Sequence, residues 1–259
     1  MIVAIEIMTD STNKKTTLHE QLTDESKSTM QRYQDLALGS SSIWYLIKFE
    51  LIMLICSWVP GALGLVLRKL LYPRIIGSVG RNVVFGQGVN IRHGLKISIA
   101  DNVVIDDQVL LDAKGESNNG ISVGKDTILS RSTVLACKNG DIDIGARCSL
   151  GIGTIVHSTE DCNVVIGDEV LIGAYCYFVG GGGYKSADLN KSFKSQGPDP
   201  KGGIVVKNNV WFGANIQVLD GVTVEGDSII GASSVLNNNV AAFDIVAGVP
   251  AKIIRSRKG

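Results

Sequence analysis

Residues 144–156 read IGARCSLGIGTIV, and the spacing in this stretch decides the fold. Its large apolar residues, Ile144, Leu150 and Val156, recur every six positions. Four residues after the first two stand Cys148 and Thr154, both small, and directly after them stand Gly145 and Gly151. Neither the 3.6-residue period of a helix nor the plain alternation of a half-buried strand produces that spacing.

The triplet repeats on both sides. Below it lie Val79, Phe85, Ile91, then Ile99, Ile105, Leu111, then Val123, Leu129, Leu135. Above it lie Ile166, Ile172, Phe178, then Val206, Phe212, Val218, then Val224, Ile230, Leu236. All 21 anchors are large and apolar. The positions four residues on, in the first two hexads of each triplet, run from Val83 and Val89 to Ser228 and Ser234, and all are small or β-branched. One large and one small inward residue per hexad describe one flat face of a triangular coil, and three hexads close a turn. At about 4.8 Å per coil, seven coils make a prism roughly 34 Å tall. The glycine that often follows an anchor suits a corner that needs unusual backbone angles. A sandwich would space its strands by 8–12 residues without a six-residue ladder. The fold class is therefore an all-β solenoid, a parallel β-helix of about seven coils over 79–240. It follows an N-terminal region, 1–78, and precedes a C-terminal tail, 241–259.

Composition agrees. The chain has 259 residues, with 30 Gly but only 5 Pro and 6% aromatics, a profile of short strands and tight turns rather than helix bundles. Twenty-five basic residues balance 25 acidic ones, so the chain lacks the basic excess of a nucleic-acid partner. Five Cys without a CxxC point to a reducing compartment and no zinc framework. Residues 1–10 lack the basic start of a signal peptide.

The pattern resembles the hexapeptide-repeat acyltransferases, including the galactoside, serine and sugar O-acetyltransferases. The resemblance covers about 79–257. It implies a left-handed β-helix, a homotrimer, and acyl-CoA, most simply acetyl-CoA, as co-substrate, with no metal. The function expected is O-acyl transfer to a sugar hydroxyl. N-acylation of an amino sugar and a non-catalytic trimeric scaffold are the alternatives.

Every extra residue between triplets falls after a third hexad, so all insertions leave one corner. The extras number 2, 6, 3, 4, 22 and 0 going up the coils. The 22-residue excursion, about 180–203, is long enough to be functional. In the resembled families such a loop reaches over a neighbouring subunit and helps wall the active site.

Acyl transfer needs a base for the acceptor proton, and histidine suits neutral pH. The chain offers His19, His93 and His157. His93 and His157 follow third-hexad anchors three coils apart, about 14 Å, so they cannot share one substrate atom or join a zinc triad. His157 lies one coil below the long loop, where the serine-type pattern places its base before an Ile166-Gly167-Asp168-Glu169 hexad. It is the expected catalytic base. Glu160, with Asp161 and Asp141 as alternatives, is the carboxylate expected to orient it. Galactoside-type enzymes carry their histidine at the loop start, where this chain has Gly183 and Tyr184. With Asp161, these two are the expected acceptor-binding residues.

The resemblance also marks a donor side. The hexads holding Trp211, Gly213, Ala214, Gly231 and Ala232 match those lining the acyl-CoA groove. Asn237, Lys252 and Arg255 fall where polar and basic groups meet CoA phosphates.

Residues 51–67, LIMLICSWVPGALGLVL, carry no charge. A straight helix of that length is about 25 Å, short of the roughly 30 Å hydrocarbon core, and Pro60-Gly61 breaks it. Either 43–72 enters a membrane as a re-entrant or in-plane hairpin, or it caps the solenoid. The first reading places the protein at the cytoplasmic membrane face with a lipid-linked sugar as acceptor.

Overall fold

The computed structural model describes residues 26–259; the readings of residues 1–10 and of His19 lie outside them. Three parallel sheets form the sides of a triangular solenoid. The first has seven strands, from Ser78–Val79 to Thr223–Val224, and the third has seven, from Asn90–Arg92 to Val235–Leu236. The second has nine, from Val84–Phe85 to the C-terminal pair Asp244–Ala247 and Lys252–Ser256. Seven full coils result. The strand Asp244–Ala247 starts an eighth by pairing parallel to Ile229–Ile230, and Lys252–Ser256 folds back antiparallel on it.

Anchors stack on anchors: Val123 on Ile144, Ile144 on Ile166, Ile166 on Val206. Every anchor is buried except Val79, which is half-buried at the first coil. The small positions are buried too, including Thr127, Thr133, Thr154, Ser228 and Ser234. Their hydroxyls are satisfied by corner carbonyls, as when Thr154 Oγ1 donates to Gly173 O at 3.2 Å. A prism this narrow has room for one large and one small side chain per face, which is why the period is six.

The glycine rule needs correction. Gly145 and Gly151, like the other glycines directly after an anchor, do not take left-handed angles. They are glycines because a Cβ there would stand 2.5 Å from a backbone carbon of the next coil. The left-handed residue comes two positions later and is usually not glycine: Asn82, Asn102, Asp126, Arg147, Asn209 and Asp227 all have φ of 57–62°. Side-chain ladders support these corners. Asn82 donates to Asn102 at 3.1 Å and Asn102 to Asp126 at 2.9 Å.

Helical segments close the lower end. Ser28 caps α1 (Thr29–Tyr33), which runs into a π-helical turn, Gln34–Leu38. Then come α2 (Ile43–Cys56) and α3 (Gly61–Leu71), broken at Pro60-Gly61 as expected. Tyr72 packs edge-on against Phe85, with ring centres 5.3 Å apart, and covers the bottom of the core. The buried Arg68 guanidinium donates to the carbonyls of Phe85, Cys56 and Val59 at 2.9, 3.0 and 2.8 Å, tying both helices to the first coil. The segment therefore covers the lower end of the solenoid. Among the described residues no single helix is long and apolar enough to cross a membrane.

Candidate active site

His157 lies on Ile155–Thr159 in the third sheet, between Ala136 below and Val179 above. Its carbonyl accepts the Gly180 N–H at 2.7 Å, so the histidine sits at the foot of the long loop. The ring is half-buried. Burial, and after it the Lys138 ammonium, pushes the imidazole below its ordinary 6.5. A neutral imidazole at pH 7 is the form a general base requires.

The chain then turns through Glu160 and Asp161, Asp161 at φ 62°, before the Cys162 N–H returns to Thr159 O at 3.0 Å. Glu160 and Asp161 are therefore on the turn beside His157, both exposed. Asp141, the carboxylate one coil below, is committed elsewhere: it accepts from Gly120 N–H at 2.8 Å and Asn119 at 3.1 Å.

His93 has a structural role. It is 4% exposed, with Nδ1 3.3 Å from Asp112 and Nε2 3.1 Å from the Asp35 carbonyl. Its N–H donates to Ala37 O at 2.9 Å, so it pins the π-helical turn to the solenoid.

The long loop has more order than its sequence suggested. Gly183 O accepts the Asp199 N–H at 2.9 Å and Tyr184 bridges Pro198, which closes the loop on itself. Ser192 caps a short helix, α4 (Phe193–Gln196). Leu189, 94% exposed, and Phe193, 65% exposed, stand out from this loop.

The residue that pins the loop base is Asp220, which sequence reasoning missed. Its carboxylate accepts the Lys201 N–H at 2.6 Å, the Gly203 N–H at 2.7 Å and the Cys162 thiol at 3.3 Å. Burial pushes its pKa up, but those donors, with the Gly181 N–H, outweigh burial and hold it below the usual carboxylate range. The available signal was position: Asp220 follows the third-hexad anchor Val218, at the corner that carries every insertion.

The donor-side glycines and alanines lie on another edge, while Asn237 follows the third-sheet anchor Leu236 on the His157 edge. Gly213 and Gly231 follow anchors of the second sheet, Phe212 and Ile230, so they mark the corner between the second and third sheets. His157 follows a third-sheet anchor and marks the corner between the third and first. A face of six residues separates those edges by roughly 20 Å. One protomer does not bring His157 to Gly213, Ala214, Gly231 or Ala232. Trp211 is exposed beside the Gly213 corner, stacked between Leu171 and Ile229. Asn237 and Lys252 share a cleft of about 290 Å³ at the top of the prism, lined also by Asn238, Asp244 and Ile253. Arg255 lies on the exposed C-terminal strand, paired with Ile245. Among the described residues no cluster of His, Cys, Asp or Glu could hold a metal ion.

No protein-family model matches the chain. Galactoside O-acetyltransferase of Escherichia coli (strain K12) is 33% identical over 96 residues, covering 37% of this chain and 45% of that enzyme. SACOL2570 of Staphylococcus aureus (strain COL), which carries an acetyltransferase name, is 32% identical over 109 residues, covering 36% of this chain and 55% of that protein. The chain thus spans about half the length of the curated relatives it matches. Among solved structures, the polySia-specific acetyltransferase NeuO superposes with a TM-score of 0.53 at 23% identity, over 70% of this chain and 82% of that one. AntD, an N-acyltransferase from Bacillus cereus in complex with dTDP and 3-hydroxybutyryl-CoA, superposes with a TM-score of 0.51 at 19% identity, over 78% and 91%. These likenesses establish the fold.

Proposed function

We propose that this chain, a relative of the hexapeptide-repeat acetyltransferases, transfers an acyl group from acyl-CoA, most simply acetyl-CoA, to a sugar hydroxyl. The observation that carries the reading is His157. It is a half-buried imidazole biased toward neutrality, at the foot of the long loop on the edge where all insertions gather. Its ring takes the acceptor proton as the acceptor oxygen attacks the thioester carbonyl. A backbone N–H at the corner stabilises the tetrahedral oxyanion, and the CoA thiolate leaves, taking up the proton.

Glu160 orients the imidazole, and Asp161, Gly183 and Tyr184 face the acceptor. The donor side fits a slender, amide-rich chain ending in phosphates. Gly213, Ala214, Gly231 and Ala232 leave an unobstructed corner, while Lys252, with Asn237 in the cleft at the top and Arg255 nearby, supplies charge for phosphate.

Because donor corner and base stand on different edges, the working site lies between subunits, the His157 edge of one meeting the Gly213 edge of the next. Leu189 and Phe193, exposed on the loop, seat against that neighbour. The assembly is a homotrimer, with three equivalent sites. If the helical cap rests on a membrane, the acceptor is a lipid-linked sugar at the face where acyl-CoA is available, the cytoplasmic one.

The test is thiol release from acetyl-CoA by the purified chain with a panel of neutral, amino and lipid-linked sugars, alongside His157→Ala and light-scattering mass. Turnover with hydroxyl acceptors that falls in His157→Ala supports the reading. Turnover confined to amino sugars converts it to N-acylation. Absence of acetyl-CoA binding by calorimetry assigns a scaffold role instead.

A further inference from the structure

Helix α3 carries apolar side chains on both its faces. The face it turns to the protein holds Gly64 and the charged Arg68, both buried, with Leu67 and Leu71 half-buried against the core. The face it turns outward holds Leu63, Val66 and Leu70, which are 66%, 54% and 60% exposed. Positions i, i+3 and i+7 fall on one stripe, so a second apolar stripe of this helix points away from its own core. Helix α2 is apolar on both sides: Tyr45, Phe49 and Ile52 face inward, and Ile47, Leu51 and Leu54 face outward. Lys48 and Glu50 are its only charges, and a helix otherwise apolar on both sides suits a core or lipid.

This outer face is held rigidly. Besides the three carbonyl bonds of Arg68, the Gly88 N–H donates to Ser57 O at 2.8 Å and Gln87 Nε2 to Trp58 O at 3.0 Å. The Tyr45 hydroxyl donates to Ile75 O at 2.9 Å. Lone exposed leucines are ordinary; a fixed, two-helix apolar face on a protein surface is a contact surface.

The surroundings select the partner. The exposed charged side chains between 43 and 77 are Lys48, Lys69 and Arg74 against one acid, Glu50, whose carboxylate accepts the Tyr33 hydroxyl. Two copies packed face to face would oppose like charges, whereas a layer of anionic headgroups complements them. Trp44, 82% exposed, and Trp58 flank the apolar rows with amphipathic rings suited to a headgroup boundary. Helices of 14 and 11 residues are about 21 and 17 Å long, too short to span a bilayer of roughly 30 Å. We infer that the outer face of α2 and α3 docks in plane on an anionic lipid bilayer, with Leu63, Val66, Leu70 and Leu54 entering the acyl boundary and Lys48 and Lys69 meeting lipid phosphates.

This inference stands apart from acyl transfer, and its test reads no turnover. The full chain is floated with vesicles of phosphatidylcholine, with and without phosphatidylglycerol. The wild type floats with the mixed vesicles. Leu63→Asp/Leu70→Asp, on a solvent-side stripe, keeps the wild-type melting temperature and loses flotation by about tenfold or more for each leucine. Lys48→Glu/Lys69→Glu, which leaves every apolar contact intact, loses the preference for phosphatidylglycerol. Wild-type protein that stays at the bottom of the gradient overturns the inference, as does flotation unchanged in both variants. Association between copies that the leucine variant abolishes, with no flotation of the wild type, assigns the face to a second copy and overturns it too.

Discussion

The Cys162 thiol donates to the Asp220 carboxylate at 3.3 Å, across a sequence separation of 58 residues. That contact joins the turn after His157 to the coil above the long loop. Asp220 also holds the two N–H groups through which the loop re-enters the solenoid. Base strand, loop exit and loop return are thus fastened at one carboxylate.

Asp220→Asn is expected to destabilise the loop base by about 1–3 kcal/mol, since the amide replaces one acceptor oxygen with a donor facing N–H groups. Hydrogen exchange at Lys201 and Gly203 should accelerate, with little change in the lower coils. The folded carboxylate has a lowered pKa. Its stabilisation is therefore fully present above the ordinary carboxylate value and is lost as pH falls through the lower folded one. A melting series into acid checks the sign: the wild type should lose its advantage over Asp220→Asn there.

On the proposed mechanism His157 sets the acid limb of activity. Because burial and Lys138 hold its pKa below 6.5, kcat/KM should rise with pH through a midpoint below that value. Lys138→Glu removes the repelling charge and adds an attracting one, so the midpoint moves upward. His157→Ala should lower kcat by on the order of 10²–10⁴ with acyl-CoA binding retained. Steady-state profiles of the three proteins decide this.

Lys252→Ala should raise KM for acyl-CoA about tenfold while leaving kcat near wild type, the pattern of lost uniform binding. A KM unchanged for acyl-CoA would remove Lys252 from the donor site. Arg255→Ala, measured beside it, tells whether the two cations act on one group, since shared partners give non-additive losses.

Arg68→Met should cost on the order of 3 kcal/mol in urea unfolding, because two buried carbonyls and the part-buried Val59 carbonyl lose a charged donor at once. The loss should appear as early unfolding of the helical cap, read from Trp58 fluorescence ahead of the far-UV signal of the sheets.

Legibility differed between solenoid and site. The six-residue ladder from Val79 to Leu236 was readable because each anchor meets only its copies one coil above and below, so the constraint on each residue is local and repeats. The break at Pro60-Gly61 was readable for the same reason: it depends on one residue's backbone. The reason for Gly145 and Gly151 was not. Both lie next to a corner, and only stacked coils show that a neighbouring backbone excludes a Cβ there. Asp220 was missed because its partners come from residues 162, 201 and 203, a meeting no short motif records.

The sequence by itself determined the solenoid, its coil count, the edge bearing the insertions and the apolar character of 43–72. These follow from periodicity and composition, which survive in one dimension. Only the tertiary structure decided how those pieces face. It turned His93 into a pin for the N-terminal turn, and buried Arg68 while leaving Leu63 and Leu70 in the open. Which side of a helix or corner meets protein is settled by packing among distant residues, and a period fixes the stripe without fixing the direction it points.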